Sequence, residues 1–246
     1  MKFENAKILV ALLSYPFVEN ECIGSVWSML EYSNWKCPGE TYPRNTVTLI
    51  MTDGTSPARA HNHSINTFLD SPDYKSLLII GRDHIFKQNA LQLLYEADKD
   101  MIGGITMQRF RAMQSLGEPQ ISTVHDWKDG ITRALTREEC LEKIKEVGNQ
   151  PFEVPSIGDG FMLFKRKVFE KIPPPWFYEP PIPEDQIRPG ARRGTLGCDI
   201  CFFKKARELG LKAWAHPGVQ YVHIGRGYTA VRYDMRDANP KRFIQY

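Results

Sequence analysis

Leu77–Phe86 reads LLIIGRDHIF, and its first half is uninterrupted by polar residues. A strand wet on one face would alternate, so Ser76–Ile80 is expected to be a strand buried on both faces. It breaks at once into Gly81-Arg82-Asp83-His84. Toward the N-terminus, Lys7–Ser14 (KILVALLS) is a run of the same kind, and Asn45–Thr52 (NTVTLIMT) closes on Asp53-Gly54. Between these two runs, Asn20–Tyr32 has helical spacing with Ile23, Val26, Trp27 and Leu30 on one side. Ser56-Pro57 opens a second helix with a cap residue and a first-turn proline. Toward the C-terminus, Lys87–Ala97 reads as a helix and Met101–Ile105 as a fourth strand. This alternation predicts an α/β chain, a three-layer α/β/α sandwich around a mostly parallel sheet. Ligands in such sheets bind beyond the carboxyl ends of the strands, which marks Ser14-Tyr15, Asp53-Gly54 and Gly81–His84.

The second half is less regular. Phe110–Pro151 reads as polar, with one helix from Thr136 to Val147 behind a Thr136–Glu139 capping box. Gly158-Asp159-Gly160 precedes an apolar strand, Phe161–Phe164, and Lys167–Ile172 makes one or two helical turns. Pro173–Leu196 holds seven prolines and is expected to be a long loop. Cys198–Leu209 regains helical spacing, and Lys212–Ala215 and Val219–His223 read as two short strands. Residues 1–225 are expected to form a single catalytic domain, and 226–246 a basic tail or lid bearing Arg226, Tyr228 and Arg232.

Composition narrows the class. With 42% hydrophobic and 25% charged residues the chain is an ordinary globular one, not a disordered one. A net charge of +3 is too mild to argue for a nucleic-acid partner, and none is expected. No run approaches the roughly 20 apolar residues of a membrane span. The polar start shows no secretory leader, and the five cysteines are scattered and odd in number, so a reducing, cytoplasmic setting is expected.

An acid directly after a buried strand, such as Asp83, can hold a divalent cation against a diphosphate, or it can simply cap the next helix. Its company includes Asp53 on the neighbouring strand, Arg59 and Asn62 on the following helix, and His223 at a late strand end. In this order the segments resemble those of GT-A glycosyltransferases, particularly the family-2-like inverting enzymes. Ser56–Asn62 is similar to their Arg-containing second helix, and Leu77–Phe86 to the strand ending in Asp-x-Asp. Gly158–Phe169 (GDGFMLFKRKVF) resembles their Gly-x-Gly strand, Gly197–Gly210 their Glu-Asp segment, and Tyr221–Gly225 their late histidine. The likeness runs from Lys7 to Gly225.

This resemblance implies a GT-A sheet and the transfer of a sugar from a nucleotide-diphosphate donor to a carbohydrate or other hydroxyl acceptor. It implies Mn2+ or Mg2+ as cofactor, held by Asp83 and His223. Asp53 would meet the nucleotide base beside Ser14 and Tyr15, and Arg59 would steady the donor, with Asn62, Arg82 and Asp159 completing its surroundings. Asp199 would be the general base. Two positions depart from the pattern: Gly81 stands where the first acid of Asp-x-Asp belongs, and Cys198 where the glutamate of Glu-Asp belongs. Glu184-Asp185 is a second candidate for the base. Two other readings keep the fold: a non-catalytic carbohydrate- or partner-binding module, motivated by Gly81 and Cys198, and a nucleotidyltransferase. The nucleotidyltransferase expects glycine and lysine after the first strand, where Ser14-Tyr15-Pro16-Phe17 stands.

Other signals weigh less. His61 and His63 sit two apart on a helix and so face different ways. Cys198-x-x-Cys201 has no second pair to complete a zinc site, and small residues packing a helix start explain it better. Trp176 and Phe177 offer either a sugar platform or a pin for the proline-rich loop.

Overall fold

Strands β1 (Lys7–Leu13), β2 (Thr46–Thr52) and β3 (Ser76–Ile80) pair in parallel, with Leu13 opposite Thr52 and Leu12 opposite Ile80. Their carboxyl ends therefore share one edge of the sheet. The structure is a computed structural model and describes residues 2–14, 17–35, 45–52, 54, 56–106, 121–128, 131–181 and 196–223. The remaining strands are β4 (His84–Phe86), β5 (Met101–Ile105), β6 (Ile121–Lys128), β7 (Ile131–Thr136), β8 (Phe152–Val154), β9 (Ser156–Ile157), β10 (Phe161–Lys165) and β11 (Ala213–His223). The main sheet runs β2-β1-β3-β10-β5-β11-β4, with β8 also on β11; β7-β6-β9 form a smaller one.

Alternate residues of β1 and β3 feed two cores. Ile8, Val10, Leu12, Leu78 and Ile80 pack under α1 (Asn20–Asn34) and α3 (Ala90–Glu96). Leu9, Ala11, Leu77 and Ile79 pack on the other face, with α2 (Pro57–Leu69), α4 (Arg137–Val147), α5 (Arg166–Lys171) and α6 (Cys198–Glu208). The three-layer α/β/α arrangement is thus the one expected, and burying both faces of β3 explains its unbroken apolar run.

The helix signals act as the sequence suggests. Ser56 caps α2 through a bond from Arg59 N–H, with Pro57 in the first turn. Thr136 and Glu139 form the full capping box of α4. Arg166, from the basic turn after β10, donates to the carbonyls of Phe68, Leu69 and Ser71 at 2.6–3.2 Å. It thereby satisfies the C-terminal end of α2 with a cation.

Three expectations are corrected, and the direction of one strand, left open by the sequence, is added. β10 is antiparallel to both neighbours, β3 and β5, so the sheet is mixed at its centre. Residues 121–136, read as part of a polar loop, pair as the antiparallel β6–β7, whose short, poorly alternating runs hide from a periodicity reading. The two late strands are one, β11, with a register shift between Ala215 and Gln220. In α1 the buried residues are Cys22, Ser25, Val26, Met29 and Ser33, while Ile23 and Trp27 are exposed. Small side chains let this helix sit close to the sheet, where the Cys22 thiol donates to the Gly81 carbonyl at 3.4 Å.

Candidate functional site

The ends of β1 and β3 carry the first group of candidates. Ser14 donates through N–H and hydroxyl to the Thr52 carbonyl, which ties the ends of β1 and β2 together. Asp53 and Tyr15 lie outside the described residues, as do Glu184-Asp185 and 226–246. Beyond β3 the chain turns into β4, whose His84 pairs in register with His223 of β11. Neighbours in antiparallel register point the same way. Their rings lie 4.7 Å apart, and both face Asp83. His223 Nε2 is 3.1 Å from Asp83 Oδ2, and His84 Nε2 is 3.8 Å from Asp83 Oδ1.

Asp83 and His223, singled out in the sequence, are therefore brought together, and His84 joins them as a residue not assigned a role there. Their ligand-type atoms all lie within 4.8 Å of one another. One carboxylate and two imidazoles fit a transition-metal ion better than Mg2+, which favours all-oxygen surroundings. Gly81 is explained by the same ring. A Cβ at Gly81 would lie 2.4 Å from His84 Cε1, and one at Gly160 would lie 2.3 Å from the same atom. Both glycines make room for the histidine, and Gly81 N–H donates to Gly160 O across 2.7 Å. Arg82 sets its guanidinium over the Phe17 ring at 4.8 Å; its Nη1 is buried without a hydrogen bond among the described residues.

Gly160 begins the second group, because Asp159 precedes it in the turn that opens β10. His61 of α2 lies on that helix's buried face with Ala58, Ile65 and Phe68. Its Nε2 is 3.1 Å from Asp159 Oδ2, and the Cys198 thiol donates to the same oxygen at 3.7 Å. His61 Nδ1 faces the Pro57 carbonyl at 2.7 Å. Burial weakens the ring's hold on a proton, but the Asp159 charge more than restores it and the net shift is upward. Burial likewise raises Asp159, yet the His61 charge and hydrogen bond prevail and hold it below the usual carboxylate range. His61 and His63 do face different ways, the first buried and the second exposed.

Asp199 sits in the first turn of α6, where its Oδ1 accepts from Ile200 N–H at 2.8 Å. Burial first, and then the neighbouring Asp159 charge, push it up to about 7. The same two causes push the Cys198 thiol up, so it stays protonated as a donor. Cys198, Cys201 and the other described cysteines, Cys22 and Cys140, are buried thiols.

Two candidates have other partners. The Asn62 side chain donates to the carbonyls of Ala58 and Phe177 and accepts from Trp176 and Phe177 N–H, at 2.7–3.2 Å. Its amide is spent on holding the proline-rich segment. Trp176 and Phe177 are buried, and the Trp176 indole donates to Phe169 O, so these aromatics are pins rather than a platform. Arg59 stands in the first turn of α2, exposed at the same end of the helix as Ser56.

His61 and His84 were the residues a sequence reading passed over. A histidine on the apolar face of α2 needs a partner there, which is the one signal the sequence offered. His84 gave less, because its partner His223 becomes visible only with the β4–β11 pairing.

No family model matches the chain, and no curated protein matches it in sequence. Solved structures that share its fold include two that match over 90% or more of this chain. The crystal structure of A197 from STIV matches with a TM-score of 0.55 at 16% identity, over 94% of this chain and 92% of that one. GalNAc-T7, solved with UDP, GalNAc and Mn2+, matches with a TM-score of 0.55 at 10% identity, over 90% of this chain. This chain covers 44% of that structure's length. The fold is therefore a GT-A-like α/β fold. Among the described residues, no helix is long and apolar enough to cross a membrane.

Proposed function

We propose that the chain is a glycosyltransferase that moves a sugar from a nucleotide-diphosphate donor to an acceptor hydroxyl, with inversion at the anomeric carbon. The observation that carries this reading is the pairing of two unlike centres through one hydrogen bond, Gly81 N–H to Gly160 O. On one side Asp83, His84 and His223 form a group that could hold a divalent metal ion, proposed to be Mn2+. A bound ion there would neutralise the diphosphate and make it a better leaving group. On the other side Asp199 is pushed up to about 7, the range in which a carboxylate can both take and hold a proton near neutrality.

The chemistry asked of the chain is modest. Asp199 removes the proton of the acceptor hydroxyl as that oxygen bonds to the anomeric carbon. The bond from that carbon to the diphosphate breaks, and its electron pair leaves with the diphosphate. Positioned bases of this kind contribute about 10²–10⁴-fold. Ser14, Tyr15, Asp53, Arg59 and Arg82 are the residues proposed to meet the donor, since in the sequence they follow the carboxyl ends of β1, β2 and β3. Asp159 borders that space, with its carboxylate engaged by His61. A cytoplasmic, reducing setting suits the buried thiols.

The test is transfer and donor hydrolysis across nucleoside-diphosphate sugars, with Mn2+ or Mg2+, in wild type and Asp199→Asn. The reading expects manganese-dependent turnover that falls at least about 100-fold in the variant. An unchanged rate removes Asp199 as the base. Binding of diphosphates without turnover would leave a carbohydrate-binding module, the reading that Cys198 in place of an acid favours.

A further inference from the structure

His61 enters the site from α2 as a buried ring with a use for each nitrogen. The Pro57 carbonyl, 2.7 Å from Nδ1, can only accept, so Nδ1 carries a hydrogen. Nε2 faces a carboxylate oxygen that also accepts from the Cys198 thiol. At 3.1 Å a bare Nε2 lone pair and a carboxylate oxygen repel each other, so Nε2 carries a hydrogen as well, off the line of a good hydrogen bond. The ring is then a cation. It stacks on Phe177 with centroids 4.3 Å apart, and Phe177 stacks on Phe202 at 4.5 Å. Asn62, the next residue of α2, holds the Phe177 main chain, which anchors the ring that His61 stacks on.

We propose that His61 is the positioning residue of this centre: its doubly protonated ring fixes the Asp159 carboxylate and leaves Asp199 as the acid–base group of the pair. This rests on the reading of Asp199 as the base. Two carboxyl groups that feel each other's charge share a proton unless a cation settles which one is charged. His61 is that cation, and it keeps both of its protons throughout the reaction. It also sets the cost of the other use of this cluster. His61, Asp159 and Cys198 bring ligand-type atoms within 4.8 Å of one another, but a metal there would first have to displace a ring proton of His61. The groups that face Asp199 and Asp159 are His61 from α2, Cys198 and Cys201 from α6 and Tyr221 from β11. Glu179 reaches Cys198 and Cys201 from the proline-rich segment.

The experiment is NMR titration of protein with 15N-labelled histidine and 13C-carboxyl-labelled aspartate, in wild type, His61→Asn and His61→Gln. In wild type both His61 ring nitrogens stay protonated at neutral pH, and Asp199 titrates about 7. In whichever variant folds, the Asp199 midpoint rises by about one pH unit or more, a tenfold weaker acid. The acid limb of any measured rate profile moves up with it. A merely structural histidine would lower the melting temperature and leave the Asp199 curve where it was, which overturns the proposal. A neutral His61 ring in wild type overturns it too, as does a stoichiometric zinc ion bound through His61. Absence of sugar transfer in wild type would sink the transferase reading alone, because the NMR result does not depend on turnover.

Discussion

Restoring the missing acid at position 81 is the change that a motif-based view would recommend, and the packing around His84 argues against it. A Cβ at Gly81 would stand 2.4 Å from His84 Cε1 and 2.6 Å from Nδ1, whereas ordinary contact begins near 3.4 Å. The ring would have to retreat by about 1 Å, and nothing gives way behind it. Gly160 presses from the other side, where a Cβ would lie 2.3 Å from the same carbon, and the Tyr221 and His223 rings each sit 4.7 Å away. Overpacking of this kind costs about 1–3 kcal/mol. For a chain of this size that lowers the melting temperature by roughly 2–4 °C per kcal/mol, so a drop on the order of 2–12 °C is expected for Gly81→Ala. Gly81→Asp carries the same clash and displaces His84 from Asp83, so manganese affinity should fall despite the added carboxylate. Thermal melts with and without Mn2+, together with calorimetric titration, measure both. If Gly81→Asp binds manganese more tightly than wild type at an unchanged melting temperature, the His84 account of this glycine is refuted.

Asp199→Asn should separate stability from activity. The folded carboxyl is raised to about 7, so between its unfolded value of 3.8 and that point the folded state holds the extra proton and stability falls as pH rises. The asparagine variant should therefore melt higher than wild type at mildly alkaline pH, by up to about 4 kcal/mol of stability, with the gain vanishing in acid. Equal melting of the two at alkaline pH would refute the raised carboxyl. Asn62→Ala strips partners from the Trp176 and Phe177 N–H groups and should cost about 2–3 kcal/mol, seen as a lower denaturant midpoint. Manganese at about a hundredfold excess over its Kd should stabilise wild type by about 2.7 kcal/mol. Asp83→Asn and His223→Ala should each lose most of that stabilisation in the same melts, and persistence in both would move the metal elsewhere.

Much of the fold was legible because the strands that position the site are buried on both faces. Such strands leave runs like SLLII and KILVALL, and their helices announce themselves through Ser56-Pro57 and Thr136–Glu139. What stayed hidden was set by pairing between distant segments. The direction of β10 follows from its neighbours β3 and β5, and nothing within Phe161–Lys165 encodes it. The site divides along the same line. Asp83 and His223 could be found from strand ends, whereas His84 depends on the β4–β11 register and His61 on a contact between α2 and a distant turn. The two departures from the motif pattern also fall on this divide. Gly81 is explained by a ring three positions on, and Cys198 by its bond to Asp159.

The position of β10 has a consequence for how the chain assembles. β3 and β5 are close in sequence yet do not pair; the strand that joins them comes much later. Until Lys165 has been made, each offers an open edge of unpaired N–H and C=O groups, the template on which other chains add. The late, long-range closure raises the contact order and slows the approach to the native state. A fragment ending before Phe161 would carry Asp83 and His61 but leave both edges open and the turn that bears Asp159 unanchored. β10 thus joins β3 to β5 and anchors the turn that bears Asp159, and β11, later still, brings His223 to Asp83, so folding and assembly of the site become one event.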